Sequence, residues 1–463
     1  MPKFVFNTTD ASQLADSYDL VIIGSGGTGL TAALQAHELG SKVAILEKMP
    51  KLGGNTNRAS SGMNAAETQV QLDHQIVDSM DDFYDETLKG GGGLNNPAML
   101  RYFTDHSALA IDWLAHHGIN LTGLTITGGM STYRTHRPAS KAPIGGFLVT
   151  ELLKLIAKAG IPIFSDVKVT ELAKTGDTVT GVVVSHANET RTVNAKAVIL
   201  ATGGFGANPE MLLKYRPDLK GYKTTNQPGA TGDGIKLAEQ AGAALVDMDQ
   251  VQVHPTVQQD TPHTFLIGEA VRGEGAILVN KAGERFTNEL DTRKNVTAKI
   301  DDLYEGGAYL IFDSKIRAQV KAIDFYDAVG LVKHGDNLAD LAKEANINAE
   351  NLQTTVARWN ECVKAGSDVD WHRTTGMDLA IVQGPFFAIH IAPAVHYTMG
   401  GVKIDTQTHV LDQAGHPLAG LFAAGEVAGG LHGNNRIGGN SIAETVIYGR
   451  QAGQQSYKYI KSL

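Results

Sequence analysis

At 463 residues the chain can bury a large core, and its length suggests two or three domains rather than one. An apolar fraction of 42% and a charged fraction of 19% are ordinary for globular proteins and exclude wholesale disorder. A formal net charge of −9, without any Lys/Arg-rich run, removes nucleic acid from the partners considered, because a basic stripe would be its electrostatic footprint.

The single cysteine, Cys362, cannot close an intramolecular disulfide. With 16 histidines but no CxxC or CxxCH, neither a thiol metal site nor a c-type haem is expected, and no metal centre is assigned. The opening "MPKFVFNTTDASQLADSYD" lacks a basic region followed by an apolar one, and nowhere do about 18 apolar residues run uninterrupted. The expectation is a cytoplasmic protein without a signal peptide or membrane span. Glycine is the outlier: 52 residues, about 11% against a typical ~7%, gathered in clusters rather than spaced periodically. Such clusters suggest backbone approaching a ligand where a Cβ would be in the way.

In chain order, the most specific segment is "YDLVIIGSGGTGLTAALQAHELGSKVAILEK" (18–48). Leu20 to Ile23 read as a buried parallel strand, followed by Gly24-Ser25-Gly26-Gly27-Thr28-Gly29, a helix over Leu30 to Leu39, and a second strand over Val43 to Leu46 that ends in Glu47. Gly24 makes the tight turn, Gly26 lets the backbone reach a pyrophosphate, Gly29 packs helix on strand, Glu47 takes the ribose, and Gly27 is counted with them at the cofactor. "KGGGGLNN" (89–96) reads as a flexible connection, and "THRPAS" (135–140) and His116-His117 as surface or packing residues. "AVILATGGFG" (197–206) reads as an interior strand of the same sheet, bringing Thr202 and Gly203 near the dinucleotide. "KEANINAENLQTTVARWNECVKAG" reads as amphipathic helix. An adenine-nucleotide motif at the start and a late "GLFAAGEVAGG" suggest a flavoprotein whose chain returns to its cofactor at the far end.

Between these ends lies "LIGEAVRGEG" (266–275), with Glu269 three residues before Arg272. Spacing alone makes this an ion pair on one face of a turn. By the same standard His254, beside Pro255, is a satisfied core histidine or a ligand. Arg293 in "ELDTRKN" is part of a solvated face, and Arg436 in "NNRIGGN" is a loop-stabilising guanidinium or, the better reading, faces a ligand from a glycine-rich nest.

"GEAVRGEGAILVN", "RFTNELDTRKN", "HYTMGG" and "GEVAGGLHGNNRIGGNS", in this order, resemble the soluble fumarate reductase flavoproteins of the succinate dehydrogenase and fumarate reductase flavoprotein family. The resemblance runs from about Tyr18 onward. It implies an α/β fold, a Rossmann-like FAD-binding domain (1–250 and 397–463) interrupted by an α+β capping, or clamp, domain (251–396), with substrate held between them. It implies reduction of fumarate to succinate, with hydride from flavin N5 and a proton from Arg293, recharged through Glu269 and Arg272. His254, His396, Arg436 and Gly439 would bind a small dicarboxylate. Glu47, Lys48, Asn55, Ser61, Gly62, Asp233 and Glu426 would contact FAD, and Ser441 and Ile442 would meet the isoalloxazine edge.

Two departures from the family pattern stand out. Membrane-complex members carry a histidine bound covalently to FAD where this chain has Asn55, so FAD is expected to be noncovalent. Many members carry a threonine where this chain has Gly268, which removes one carboxylate contact. The alternatives are reduction of another enoate, of urocanate, cinnamate or acrylate type, oxidation in the reverse sense, or a flavin electron-transfer subunit. The electron donor, whether reduced flavin, NADH or a redox partner, is not identified by any motif.

The chemistry asks for hydride, a proton, and positive charge beside a carboxylate. Arginine is a weak acid, with an unperturbed pKa of about 12.5 to 13.8. A neighbouring cation disfavours its charged form, and a carboxylate in hydrogen-bond reach can return the proton it gives up.

Overall fold

The computed structural model describes residues 4–140 and 142–463. Two compact units emerge: one formed by residues up to Leu219, Asn226–Val251 and Tyr397–Leu463, the other by Lys220–Thr225 and Gln252–His396.

The first unit is built on an eight-stranded sheet. Its path runs His409–Leu411, Pro417–Ala423, Glu189–Leu200, Ser17–Ile23, Val43–Leu46, Ile163–Phe164, and all neighbours from Pro417–Ala423 onward are parallel. Leu20, Val21 and Ile22 are fully buried, as are Val198, Ile199 and Leu200 on the adjacent strand. A parallel strand covered on both faces has to be apolar throughout, which is why these runs do not alternate. Helix Gly27–Glu38 packs closely on helix Asn440–Ser462 because two glycines thin the contact. A Cβ at Gly449 would come within 3.0 Å of the Thr28 carbonyl oxygen, and one at Gly453 within 2.7 Å of that of Ala32.

In the second unit a seven-stranded sheet runs Phe265–Leu266, Val251–Gln258, Phe386–Thr398, Ala308–Asp313, Ile277–Val279, with two short strands also on Phe386–Thr398. Helices pack on it around Trp359, Phe312, Phe387 and Ile311, all 2% exposed or less. The expected fold class, a Rossmann-like domain with an α+β unit inserted, is the one found. Among the described residues no helix is long and apolar enough to cross a membrane.

Two local expectations are corrected. The 89–96 segment is a clasp rather than a loose connection: Asn434 donates its backbone N–H to the Gly91 carbonyl at 3.0 Å, Asn435 Nδ2 to Gly90 at 2.9 Å and Asn95 Nδ2 to Leu431 at 2.8 Å. Glycines here permit close approach of two loops, since a Cβ on Gly433 would stand 2.2 Å from the Gly91 oxygen. The stretch from Lys343 to Gly366 is two helices, Leu338–Ala345 and Ala349–Ala365, broken where Asn346 turns left-handed (φ +57°) and Asn348 caps the second.

Candidate active site

The glycine loop of the first unit makes the tight turn and the helix packing that its spacing predicts. Gly24 has φ +109°, closed to side chains, and a Cβ there would lie 2.4 Å from the Ala201 oxygen. A Cβ on Gly29 would lie 2.0 Å from the Gly24 oxygen, so the third glycine packs helix on turn. Gly26 and Gly203 differ: a Cβ on Gly26 meets nothing nearer than 4.0 Å, and one on Gly203 nothing within 4 Å. Both glycines leave open space, and Gly26 does so at the N-cap of a helix, where a dinucleotide's pyrophosphate could approach the backbone. Gly27 is explained by packing on Thr56 and Thr445, and its N–H donates to Thr56 Oγ1 at 3.1 Å.

Glu47 is buried at the end of the second strand. Its Oε2 accepts from the Ser25 N–H at 2.9 Å and hydroxyl at 2.7 Å, and its Oε1 from the Met49 N–H at 2.8 Å. A carboxylate has about four lone-pair sites, so capacity remains for a ribose hydroxyl. Lys48 donates to Thr231 Oγ1 at 2.5 Å and Asp233 Oδ2 at 2.9 Å. Burial alone would raise the Asp233 carboxyl, but Lys48 and Thr231 more than offset it and hold it below its usual range. Ser61 is half-buried, and Gly62 backs directly onto Thr135–Arg137, so the glycine itself is demanded by packing. Thr202, half-buried, lies against Gly234. These residues fit FAD: an acid for the ribose, open glycine faces for the pyrophosphate, and the first turn of a 23-residue helix. That turn holds Ser441 and Ile442, whose position favours negative charge.

The same unit carries a second polar cluster that sequence reasoning did not assemble. Glu426 Oε1 accepts from the Thr398 N–H at 3.1 Å and hydroxyl at 3.3 Å. Burial pushes this carboxyl up to about 7, with Thr398, Arg436 and Asn55 pulling it down and Glu444 pushing it further up. Asn55 accepts from the Gln227 N–H at 2.8 Å and donates to Asn226 at 2.5 Å. Arg436, 4% exposed, lays its guanidinium 4.5 Å over the Tyr397 ring. The Tyr397 hydroxyl donates to Glu444 Oε2 at 2.6 Å, and His432 Nε2 is 3.0 Å from the same oxygen. Gly439 caps the long helix at φ +88°, braced by Asn64, which donates to the Gly438 carbonyl at 2.7 Å. Tyr397 and Thr398 lie inside "HYTMGG", but strand alternation alone gave no reason to assign them roles.

In the second unit the expected catalytic residues divide differently from the sequence pairing. Glu269 opens the short helix Glu269–Gly273, and Arg293 opens helix Arg293–Asp301, 24 residues later. Arg293 Nε donates to Glu269 Oε1 at 2.6 Å, and its Nη1 to Gln252 Oε1 at 2.8 Å. Arg272 Nη2 stays 3.8 Å from the same carboxylate oxygen, outside hydrogen-bond length. Arg272 instead donates Nη1 to the Glu289 carbonyl at 2.5 Å, and burial lowers its pKa to about 10, Arg293 and Arg373 adding to the fall and Glu269 opposing it.

Behind it sits a buried lattice. Glu289 accepts from Arg285 and from Arg373 Nη1 at 3.1 Å, and Arg373 Nη2 donates to the Arg272 carbonyl at 2.5 Å. Both guanidiniums lie over the Trp359 ring, at 4.6 and 4.8 Å. His254, 1% exposed, has its ring centroid 5.4 Å from that of His396. The Thr256 N–H donates to His254 Nδ1 at 3.3 Å, which in the neutral ring puts the proton on Nε2. His396 Nδ1 lies 2.8 Å from Thr225 Oγ1.

A parallel sheet, a glycine cradle and an acid at the end of the second strand define a dinucleotide-binding protein with an inserted unit rich in arginine and histidine. Residues 19–442 match the FAD binding domain family. The chain is 49% identical over 443 residues to an NADH:fumarate oxidoreductase of Klebsiella pneumoniae (strain 342), covering 96% of this chain but 48% of that one. It is 42% identical to a fumarate reductase (cytochrome) of Shewanella frigidimarina, covering 97% of this chain and 79% of that one. The solved open conformation of a flavocytochrome c3 fumarate reductase superposes with a TM-score of 0.84 at 38% identity, over 97% of this chain and 80% of that one. The chain belongs to the FAD-binding fumarate reductase flavoprotein family, and FAD is its cofactor. It spans about half the length of the Klebsiella relative.

Proposed function

We infer that the chain reduces the C=C bond of fumarate to succinate. The relatives named above as fumarate reductases support the substrate, and one contact supports the chemistry: the 2.6 Å hydrogen bond from Arg293 Nε to Glu269. Noncovalently bound FAD, once reduced, supplies the hydride. Arg293 is the proton donor to the other alkene carbon, and Glu269, which already receives its Nε–H, returns the proton. His254 through Nε2–H, His396 and Arg436 hold the carboxylates, and Arg436 offers the planar fork that matches a carboxylate's two oxygens. The inserted unit acts as the cap. Electrons arrive from reduced flavin, a nicotinamide or a separate redox partner.

Anaerobic titration of the reduced holoenzyme with fumarate and, in parallel, urocanate tests this reading. Fumarate should reoxidise the flavin, and the purified chain should sustain turnover with an artificial donor. Faster reoxidation by urocanate would move the assignment to another enoate.

A further inference from the structure

Gly268 has an ordinary backbone, φ −59° and ψ 149°, which any residue adopts and which serine or threonine would favour as the cap of the helix that follows. No crowding demands glycine there either. A Cβ at 268 would meet one group within 4 Å, the Tyr326 hydroxyl at 3.7 Å. That hydroxyl accepts the Gly268 N–H at 3.1 Å. Among the described residues nothing accepts its own O–H, so one strong donor is unspent.

The ring that carries it cannot wander. Tyr326 is 6% exposed and belongs to the apolar core of its unit, on helix Ala322–Ala328. Burial raises its phenol above the ordinary value, so the group stays a neutral donor throughout the physiological range. Its hydroxyl is tied to the proposed carboxylate site through the neighbouring strand. Ile267 exchanges hydrogen bonds with Thr256, receiving at its carbonyl at 2.9 Å and donating its N–H at 2.9 Å, and the Thr256 N–H reaches His254.

We propose that the Tyr326 hydroxyl is a substrate-specificity group: it reaches in from another helix to within 3.7 Å of where a Cβ at 268 would stand, and donates its O–H to one carboxylate of a small unsaturated dicarboxylate. The proposal rests on the functional reading above. With no side chain at 268, the phenol is the hydroxyl beside that position, and the chain keeps a hydroxyl there although its sequence carries glycine.

Tyr326→Phe keeps the ring and removes only the oxygen. In the FAD-loaded protein it should raise KM for fumarate roughly ten- to a hundredfold, the loss of one hydrogen bond to a charged group, and leave kcat within about threefold. Titration of the oxidised holoenzyme with malonate, followed by flavin absorbance, should weaken in parallel. The double variant Tyr326→Phe with Gly268→Thr should recover most of the lost affinity. A merely structural role, bracing the Gly268 N–H, would disturb the adjacent Glu269 and lower kcat instead. Unchanged KM and unchanged malonate affinity in Tyr326→Phe would overturn the proposal, as would a fall in kcat alone. Should the wild type fail to reduce fumarate, the functional reading fails, and the malonate titration still decides the role of Tyr326.

Discussion

Glu269 hydrogen-bonds Arg293 and only ion-pairs with its near neighbour: the carboxylate takes the Arg293 Nε–H at 2.6 Å while Arg272, three residues along the same turn, approaches it to 3.8 Å. The acid thus stands between a half-buried guanidinium and a fully buried one. Glu269→Gln keeps the shape and the acceptor oxygen but cannot take up a proton. It should slow flavin reoxidation by fumarate by about 10² to 10⁴, with dicarboxylate affinity nearly unchanged. Arg293→Ala should lose a similar factor while retaining FAD. Stopped-flow reoxidation of both variants decides this, and near-wild-type rates in either would remove that residue from the proton path.

The lattice behind Arg272 makes a stability prediction. Burial alone would raise the Glu289 carboxyl, yet Arg285 and Arg373 hold it below its usual value, and all three side chains are 6% exposed or less. Glu289→Gln leaves buried Arg373 facing a neutral amide, while Arg285 keeps its ion pair with Asp368 at 2.9 Å. Breaking one member of a buried ion pair costs about 3 to 5 kcal/mol, whereas the Arg358–Glu361 pair is exposed to water and contributes little. Thermal unfolding of Glu289→Gln against Glu361→Gln measures the contrast, and equal melting temperatures would show that the lattice carries little stability.

What could be read from sequence was what is local. The strand, glycines, helix and acid of 18–48 lie within one βαβ unit, so their spacing alone carries the geometry that Gly24, Gly29 and Glu47 adopt. The partner of Glu269 was a different matter. Spacing pointed to the ion pair with Arg272, which forms at 3.8 Å, but a carboxylate chooses its hydrogen-bond donor among all cations the fold brings near, and Arg293 arrives from a helix 24 residues on. Tyr326 and Glu444 left no trace for the same reason: each acts through one oxygen whose neighbours, Gly268 and Tyr397, are distant in sequence. The 89–96 glycines were misread because loose chain and close loop-on-loop packing share a composition.

Glu47 contributes in two ways that one substitution separates. Its carboxylate satisfies the Ser25 N–H and hydroxyl, and Ser25 is fully buried. Glu47→Ala leaves that donor unmet, at about 1 to 3 kcal/mol, and removes the ribose acceptor. Glu47→Gln retains an acceptor and should lose less. Flavin content after gel filtration should fall steeply in Glu47→Ala and modestly in Glu47→Gln, and full retention in Glu47→Ala would remove this acid from the cofactor site.

Glu426 sets a pH dependence whose sign follows from its surroundings. An unfolded chain releases this proton near 4.5, whereas burial, helped by Glu444, holds it in the folded state up to about 7. Because the folded pKa lies above the unfolded one, the folded state binds more protons between these values. The stabilisation is complete below about pH 4.5 and is lost as pH rises through about 7, a difference of up to about 3 kcal/mol. Glu426→Gln cannot titrate and is locked in the shape of the protonated acid. In the FAD-free protein, the stability of wild type relative to Glu426→Gln should fall between pH 5 and 8, measured by denaturant unfolding so that shared histidine titrations cancel. Parallel curves for the two proteins would mean that Glu426 is already ionised at neutral pH, with Arg436 and Thr398 outweighing its burial.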